Sequence, residues 1–196
     1  EPAGMYPSGG PVSKMREVWR FCAPNIDLYA PDIYLPNFTE ICDEYTRRGE
    51  ALFIPECAIH RYAAARNILC IGRYHAACYS PFGFEDMGLP LNAQQMALFG
   101  ADAQDPALAS PQEVEPYGKI NQLLNGMMAR LTAQYGTDHL QAGSGELEET
   151  SLFRMDGVSI QATYSKPEGA CLVLRGNEGD FLILAYETTL NITSED

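Results

Sequence analysis

In the first 86 residues, short apolar runs alternate with stretches whose apolar residues recur every three or four positions. The run that opens residues 51–56 has four non-polar side chains in a row, which is typical of a strand buried on both faces, as in a parallel sheet. Similar runs predict strands at 26–34 and 75–82. The stretches with helical spacing predict helices at 11–22, 36–47 and 63–74. Helix and strand therefore alternate, which predicts crossover units on a parallel sheet.

The length of each helix–strand unit predicts an α/β fold, the C-terminal part of a (β/α)8 TIM barrel, with a doubly wound sheet as the alternative. Residues 1–86 would form about the sixth to the eighth barrel strands with their helices. Residues 87–136 read as a proline-containing linker, with a short helical turn at 92–99, followed by a closing helix at 117–135.

Residues 137–196 follow a different pattern. Apolar and polar residues alternate at 157–164, as they do in a half-exposed strand. Two further strands are predicted at 171–174 and 181–185, separated by residues typical of tight turns. Since three strands are few to close a sandwich, we expect a small, partial, antiparallel β-sandwich-like module.

Acidic and aromatic residues follow each of the three predicted parallel strands. Asp32 and Tyr34 end the first strand, Glu56 ends the second, and Glu85 follows the third. Because the carboxyl ends of parallel strands meet at one edge of a sheet, these side chains are expected to line one mouth. Carboxylates with aromatic walls are typical of sugar-binding sites, so a carbohydrate is the predicted ligand.

Charge and motif content narrow the possible partners. The formal net charge is −13, from 26 acidic residues and 13 lysines and arginines. This charge would repel phosphate backbones, and the sequence has no basic cluster to override it, so neither nucleic acid nor an anionic membrane is expected as a partner. No apolar run approaches the ~20 residues that a membrane-spanning helix needs. No phosphate loop, dinucleotide motif or metal-ligand spacing occurs, so no cofactor is predicted.

The six cysteines form no Cys-X-X-Cys pair and have mostly apolar or helical neighbours. We therefore interpret them as small core residues in a reducing compartment, which predicts a cytoplasmic protein.

Four segments together resemble bacterial β-galactosidase-like glycoside hydrolases, relatives of families 35 and 42 in the clan of retaining (β/α)8 glycosidases. They are Pro-Ser-Gly-Gly-Pro at 7–11, the stretch from Ala-Pro at 23 to Ala-Pro-Asp-Ile-Tyr at 30–34, Leu-Phe-Ile-Pro-Glu at 52–56 and Ser-Pro-Phe-Gly-Phe-Glu at 80–85. They occur in the same order as in the second half of that family's catalytic barrel. Residues 138–196 resemble, more loosely, a β domain that follows the barrel in one branch.

The resemblance implies a role for each matching residue. Glu56 matches the catalytic nucleophile at the end of the seventh strand. Asp32 and Tyr34 match the end of the sixth strand and Glu85 follows the eighth, where these three would contact sugar or have a purely structural role. The implied activity is hydrolysis of terminal β-glycosidic bonds, as in a β-galactosidase.

A retaining glycosidase needs a second carboxyl group about 5–5.5 Å from the nucleophile, as acid and base. In the resembled family it comes from the fourth strand, and nothing in this chain matches it. The missing N-terminal barrel half, or another chain, would have to supply it, and a homo-oligomer is one such arrangement. Two alternatives remain open, a non-catalytic carbohydrate-binding or scaffolding protein and an unrelated doubly wound enzyme.

Overall fold

The computed structural model describes residues 12–58, 61–83 and 111–194. A 3-10 turn at Ser13–Met15 opens the described chain. The elements that follow are α1 (Arg16–Cys22), β1 (Asp32–Ile33), α2 (Phe38–Thr46), β2 (Phe53–Cys57), α3 (Ala63–Gly72) and β3 (Cys78–Pro81). The three strands form one parallel sheet in the order β1-β2-β3.

Helices α2 and α3 cover one face of this parallel sheet. Both crossovers lead to the next strand in the same direction, so right-handed connections place both helices on the same side. Ile33 and Cys57, which are partners across β1 and β2, lie in one buried cluster with Phe38 of α2. Since successive side chains in a strand alternate between faces, Asp32 and Glu56 lie on the opposite face.

The prediction of a (β/α)8 barrel is wrong. A barrel requires each strand to pair on both edges, and of the three parallel strands in the described part of the chain only β2 does so. The strand predicted at 26–34 is reduced to Asp32–Ile33, because no described strand pairs with residues 26–31 and Pro31 lacks a backbone donor. The strand order contains no reversal, so the described sheet is not doubly wound either.

The C-terminal part begins with a long helix, α4 (Pro111–Thr132), which starts six residues before the predicted one and contains Pro116. The helical turn predicted at 92–99 lies outside the described residues. No helix in the described part of the chain is long and apolar enough to cross a bilayer.

Six strands follow α4, where the sequence pattern predicts three. They are β4 (Leu140–Ser144), β5 (Thr150–Met155), β6 (Val158–Tyr164), β7 (Ala170–Arg175), β8 (Phe181–Tyr186) and β9 (Thr188–Ser194). They form two antiparallel sheets, in the orders β4-β7-β8 and β5-β6-β9. The predicted strands at 157–164, 171–174 and 181–185 are confirmed as β6, β7 and β8.

Strand β7 is buried on both faces because it lies between two apolar layers. Cys171 and Val173 belong to the core that the two antiparallel sheets share. Leu172 and Leu174 point the other way, into a core formed with α3 and α4. This double burial explains the uninterrupted apolar sequence of β7.

Helix α3 is the centre of the molecule, and all of its residues are buried. It packs against α4, β4 and β7 on one side and contributes Cys70 to the core under the parallel sheet. Small residues permit the close approach of α3 to β4 and β7. A Cβ at Gly72 would lie 2.6 Å from the Cβ of Ala142 and 2.9 Å from the Cδ1 of Leu172.

One buried cation connects these layers. The Arg66 guanidinium of α3 forms an ion pair with Glu146, in the turn between β4 and β5. It also lies 4.4 Å from the ring centre of Phe38 in α2. A single side chain thus links the helical layers to the C-terminal sheets, and the pairing satisfies a charge that would otherwise be costly to bury.

Candidate functional site

Asp32 and Glu56 are neighbours at the carboxyl ends of β1 and β2. Their Cα atoms are partners in the parallel ladder. Adjacent strands lie about 4.8 Å apart, and residues in register project to the same side of a sheet. Asp32 is exposed and Glu56 is half-buried. The structure therefore brings together two of the carboxylates that the sequence predicts at one mouth.

An irregularity in β2 sets the position of Glu56. Ile54 pairs with Tyr79 and Cys57 pairs with Pro81, so β2 has one residue more than β3 between these pairs. The extra residue is a β-bulge, a feature that re-aims side chains and is frequent beside active sites. Pro55, which cannot donate to a ladder, lies in this bulge. Pairing with β3 then resumes at Cys57.

Tyr34 forms a hydrogen bond with one oxygen of Glu56. Its hydroxyl donates a hydrogen bond of 2.5 Å to Oε1 of Glu56. Burial raises the pKa of Tyr34, and the hydrogen bond to Glu56 raises it further. The phenol therefore stays protonated and acts as a donor at any physiological pH. An O–H donor on a carboxylate makes a short, charge-assisted bond, which orients the carboxylate and leaves Oε2 for another partner.

The two neighbouring carboxyl groups affect each other. Partial burial, and then the negative charge of Glu56, raise the pKa of Asp32. Like charges at short range disfavour double ionisation. The negative charge of Glu56 therefore makes ionisation of Asp32 less favourable than that of an isolated aspartate.

The other nearby ionisable group is not suited to chemistry. Cys57 is buried directly after Glu56, and burial raises its pKa to about 12. It therefore remains a thiol at neutral pH, whereas a nucleophile or metal ligand needs the thiolate. The residues that the structure describes contain no group of histidines, cysteines and carboxylates able to hold a metal ion.

The remaining predicted site residue, Glu85, lies outside the described residues. The neighbouring Phe82, just after β3, is 42% exposed. His75 has a structural environment, in which Nδ1 accepts from the Gly136 amide at 2.8 Å and its ring stacks on Tyr135. The sequence predicted either a sugar-contacting or a purely structural role for Tyr34. It did not predict the bond to Glu56, since only the pairing of β1 with β2 brings these two residues together.

The chain was compared with protein-family models and with curated protein sequences, and neither comparison finds a match. The likeness to retaining glycosidases therefore depends on the four sequence segments and on the residues that they carry.

Proposed function

We propose that this chain carries the nucleophile of a retaining glycoside hydrolase that acts on terminal β-galactosides or related glycosides. The observation that supports this most strongly is Glu56, at the carboxyl end of a parallel strand, with the Tyr34 hydroxyl bonded to one of its oxygens. The four segments that resemble β-galactosidase-like enzymes support the same assignment of Glu56.

The proposed reaction uses the free oxygen of Glu56. Oε2 attacks the anomeric carbon as the bond to the leaving oxygen breaks, and an acid elsewhere protonates that oxygen. The glycosyl–enzyme ester is then cleaved by water, which transfers a proton to the same acid/base group and releases Glu56 as a carboxylate. Tyr34 donates to Oε1 throughout, so the charge that returns to Glu56 in the second step has a partner in position.

The acid/base is proposed to come from another polypeptide segment or a second chain, as the retaining mechanism requires. Asp32 lies on the same sheet face as Glu56, in register with it, and not on the opposite side of a bound sugar. Large exposed side chains on α1 and the segment leading into β1, here called the α1 apolar surface, support such a docking. They are Val18, Phe21, Ile26 and Leu28. The chain alone is therefore expected to be inactive.

A non-catalytic carbohydrate-binding protein is the second candidate. The described residues place no carboxyl group opposite Glu56, and Phe82 supplies an exposed aromatic face near the strand ends. Aromatic faces with a few polar groups are enough to bind a sugar without cleaving it. Hydrolysis by the native polypeptide separates the two candidates.

A cytoplasmic location is part of the proposal. All six cysteines are free thiols, and four of them are buried. Buried free thiols are common in proteins of reducing compartments.

The test of the nucleophile is chemical rescue in the native polypeptide, isolated from its source and assayed with an aryl β-galactoside. Glu56→Gly should lower turnover by ~10³-fold or more, about 4 kcal/mol. Azide should restore part of it by occupying the vacated space, and the product should be the α-glycosyl azide. Glu56→Gln is the matched control, because its amide fills that space and should prevent rescue. Near-normal turnover by Glu56→Gly, or a rescued product of the β configuration, would contradict the assignment.

A further inference from the structure

A cleft of about 330 Å³ lies between α1 and the C-terminal end of α2. Five cations line it, which is more than a third of the lysines and arginines in a chain whose net charge is −13. They are Lys14, Arg16, Arg20, Arg47 and Arg48. Three of them lie within residues 14–20 and two at 47–48, and only the packing of α1 beside α2 brings the two groups together.

The acidic residues nearby do not neutralise this cleft. Glu50 forms ion pairs with both Arg16 and Arg20, and Glu17 pairs with Arg20 at 2.7 Å and with Arg48 at 3.2 Å. With Glu44, these carboxylates number three against the five cations. The cleft therefore has a positive balance of two charges in an otherwise strongly acidic protein.

Two cations remain available for a ligand. Lys14 and Arg47 are exposed and have no ion-pair or hydrogen-bond partner among the residues that the structure describes. Arg47 directly follows α2, where a cation complements the partial negative charge of the helix end, but it uses none of its donors there. A guanidinium has five donors in a planar fork, suited to the oxygens of a phosphate group.

Arg16 forms the floor of the cleft. Its side chain is only 8% exposed, it donates to the Glu44 carbonyl at 2.6 Å, and its Nε has no hydrogen-bond partner among the residues that the structure describes. Burial, and then the charge of Arg20, lower its pKa. A buried donor without a partner is unusual in a folded protein, and an oxygen atom of a ligand at this point would satisfy it.

The cleft lies at the opposite end of the parallel sheet from Glu56. Helix α2 begins after the carboxyl end of β1 and returns the chain to the amino end of β2, as a crossover between parallel strands must. Arg47 and Arg48, which follow α2, are therefore at the amino ends of the strands. Binding in the cleft would be a property separate from the proposed hydrolysis.

We propose that this cleft binds a small, soluble anion that carries a phosphate or diphosphate group. Its volume is near the lower end of the roughly 300–1,000 Å³ range of ligand pockets, which suits a diphosphate or a small phosphorylated metabolite. A nucleic acid does not fit, because the rest of the chain would repel a long phosphate backbone.

The test is calorimetric titration of this chain with pyrophosphate, beside inorganic phosphate. Saturable binding tighter than ~1 mM is expected for pyrophosphate. Lys14→Ala combined with Arg47→Ala should weaken it at least tenfold, because both side chains are exposed cations without other partners. Lys119→Ala is the matched control, since it removes an exposed cation of α4. Unchanged thermal unfolding would establish that the variants are folded.

Three outcomes would overturn the proposal. One is the absence of saturable pyrophosphate binding by the wild-type chain. Another is equal weakening by Lys119→Ala, which would indicate nonspecific attraction. The third is preferential binding to vesicles containing phosphatidic acid over soluble pyrophosphate, which would identify a lipid headgroup as the source of the phosphate.

Discussion

At the scale of single residues, the hydrogen bond from Tyr34 to Glu56 orients the carboxylate of the candidate site. One oxygen of the Glu56 carboxylate accepts a hydrogen bond from a permanently protonated phenol, and the other has no hydrogen-bond partner in the described part of the chain. The neighbouring Asp32 has a raised pKa, so the two acidic side chains are not equivalent although they are partners in the same ladder. The bond of Tyr34 to Glu56 and the proximity of Asp32 to Glu56 can each be tested by a single substitution.

Tyr34→Phe removes the donor and leaves the ring. A hydrogen bond to a charged group contributes roughly 1.5–3 kcal/mol, so kcat/KM of the native polypeptide on an aryl galactoside should fall about 10- to 100-fold. Tyr29→Phe is the matched control, because the buried hydroxyl of Tyr29 has no hydrogen-bond partner within residues 12–58, 61–83 and 111–194, and its loss should leave kcat/KM unchanged. Equal rates for Tyr34→Phe and the wild type would remove Tyr34 from the mechanism.

Asp32→Asn should stabilise the folded chain at neutral pH. A carboxyl group whose pKa is raised on folding binds more protons in the native state, so its contribution to stability falls as pH rises from its unfolded pKa through its folded pKa. An asparagine does not titrate, so the Asp32→Asn variant does not lose stability in this way as pH rises. Its melting temperature should therefore exceed that of the wild type at pH 7, and the difference should vanish below pH 3.8, the ordinary pKa of an aspartate.

The control for this measurement is Asp138→Asn, which makes the same change in net charge in the turn before β4. A melting temperature that rises equally in both variants would mean that total charge, and not the approach to Glu56, is responsible.

At the scale of elements, the packing of α3 depends on one missing side chain. Gly72→Ala would place a methyl group within 2.6 Å of the Ala142 Cβ, where no space exists. Overpacking of this kind costs about 1–3 kcal/mol, so the free energy of unfolding in urea should decrease by that amount.

Gly126→Ala is the opposite case on α4, because a Cβ there would meet nothing within 4 Å. Alanine is a better helix former than glycine by up to ~1 kcal/mol, so this variant should be slightly more stable than the wild type. If both glycine variants changed stability in the same direction, the close contact between α3 and β4 would not be the reason.

The helices and strands also show how much of the secondary structure the sequence pattern predicts. The helices at α2 and α3 and the strands β2, β3, β6, β7 and β8 follow from the periodicity of apolar residues, because that periodicity reports the buried face of each element. Strand β1 is much shorter than its apolar run. An apolar run shows that residues avoid water, whereas a strand also requires a neighbouring strand to pair with, and 26–31 have none.

At the scale of the whole molecule, the α1 apolar surface is the feature that most needs a partner. Phe21 is 87% exposed and Val18 is 51% exposed, both on α1. Contiguous exposed apolar side chains are typical of association surfaces. The surface is therefore a candidate contact for a second chain or segment.

The isolated chain is expected to self-associate through this surface. Val18→Ser combined with Phe21→Ser should shift sedimentation velocity profiles towards the monomer at concentrations where the wild type associates. Leu123→Ser, at a residue of α4 that is 51% exposed, is the control and should have no such effect. A wild-type chain that is fully monomeric would remove the α1 apolar surface as an association site.

The sequence by itself determined the helices, most of the strands that have apolar runs, and the residues worth testing at the strand ends. These depend on local spacing and on side-chain chemistry, which any folded context must satisfy. Only the tertiary structure decided that the three parallel strands form a small separate sheet and not a barrel, because sheet closure depends on pairing between distant segments. The bond of Tyr34 to Glu56 and the cationic cleft between α1 and α2 are likewise contacts between residues far apart in the chain, and periodicity carries no information about them.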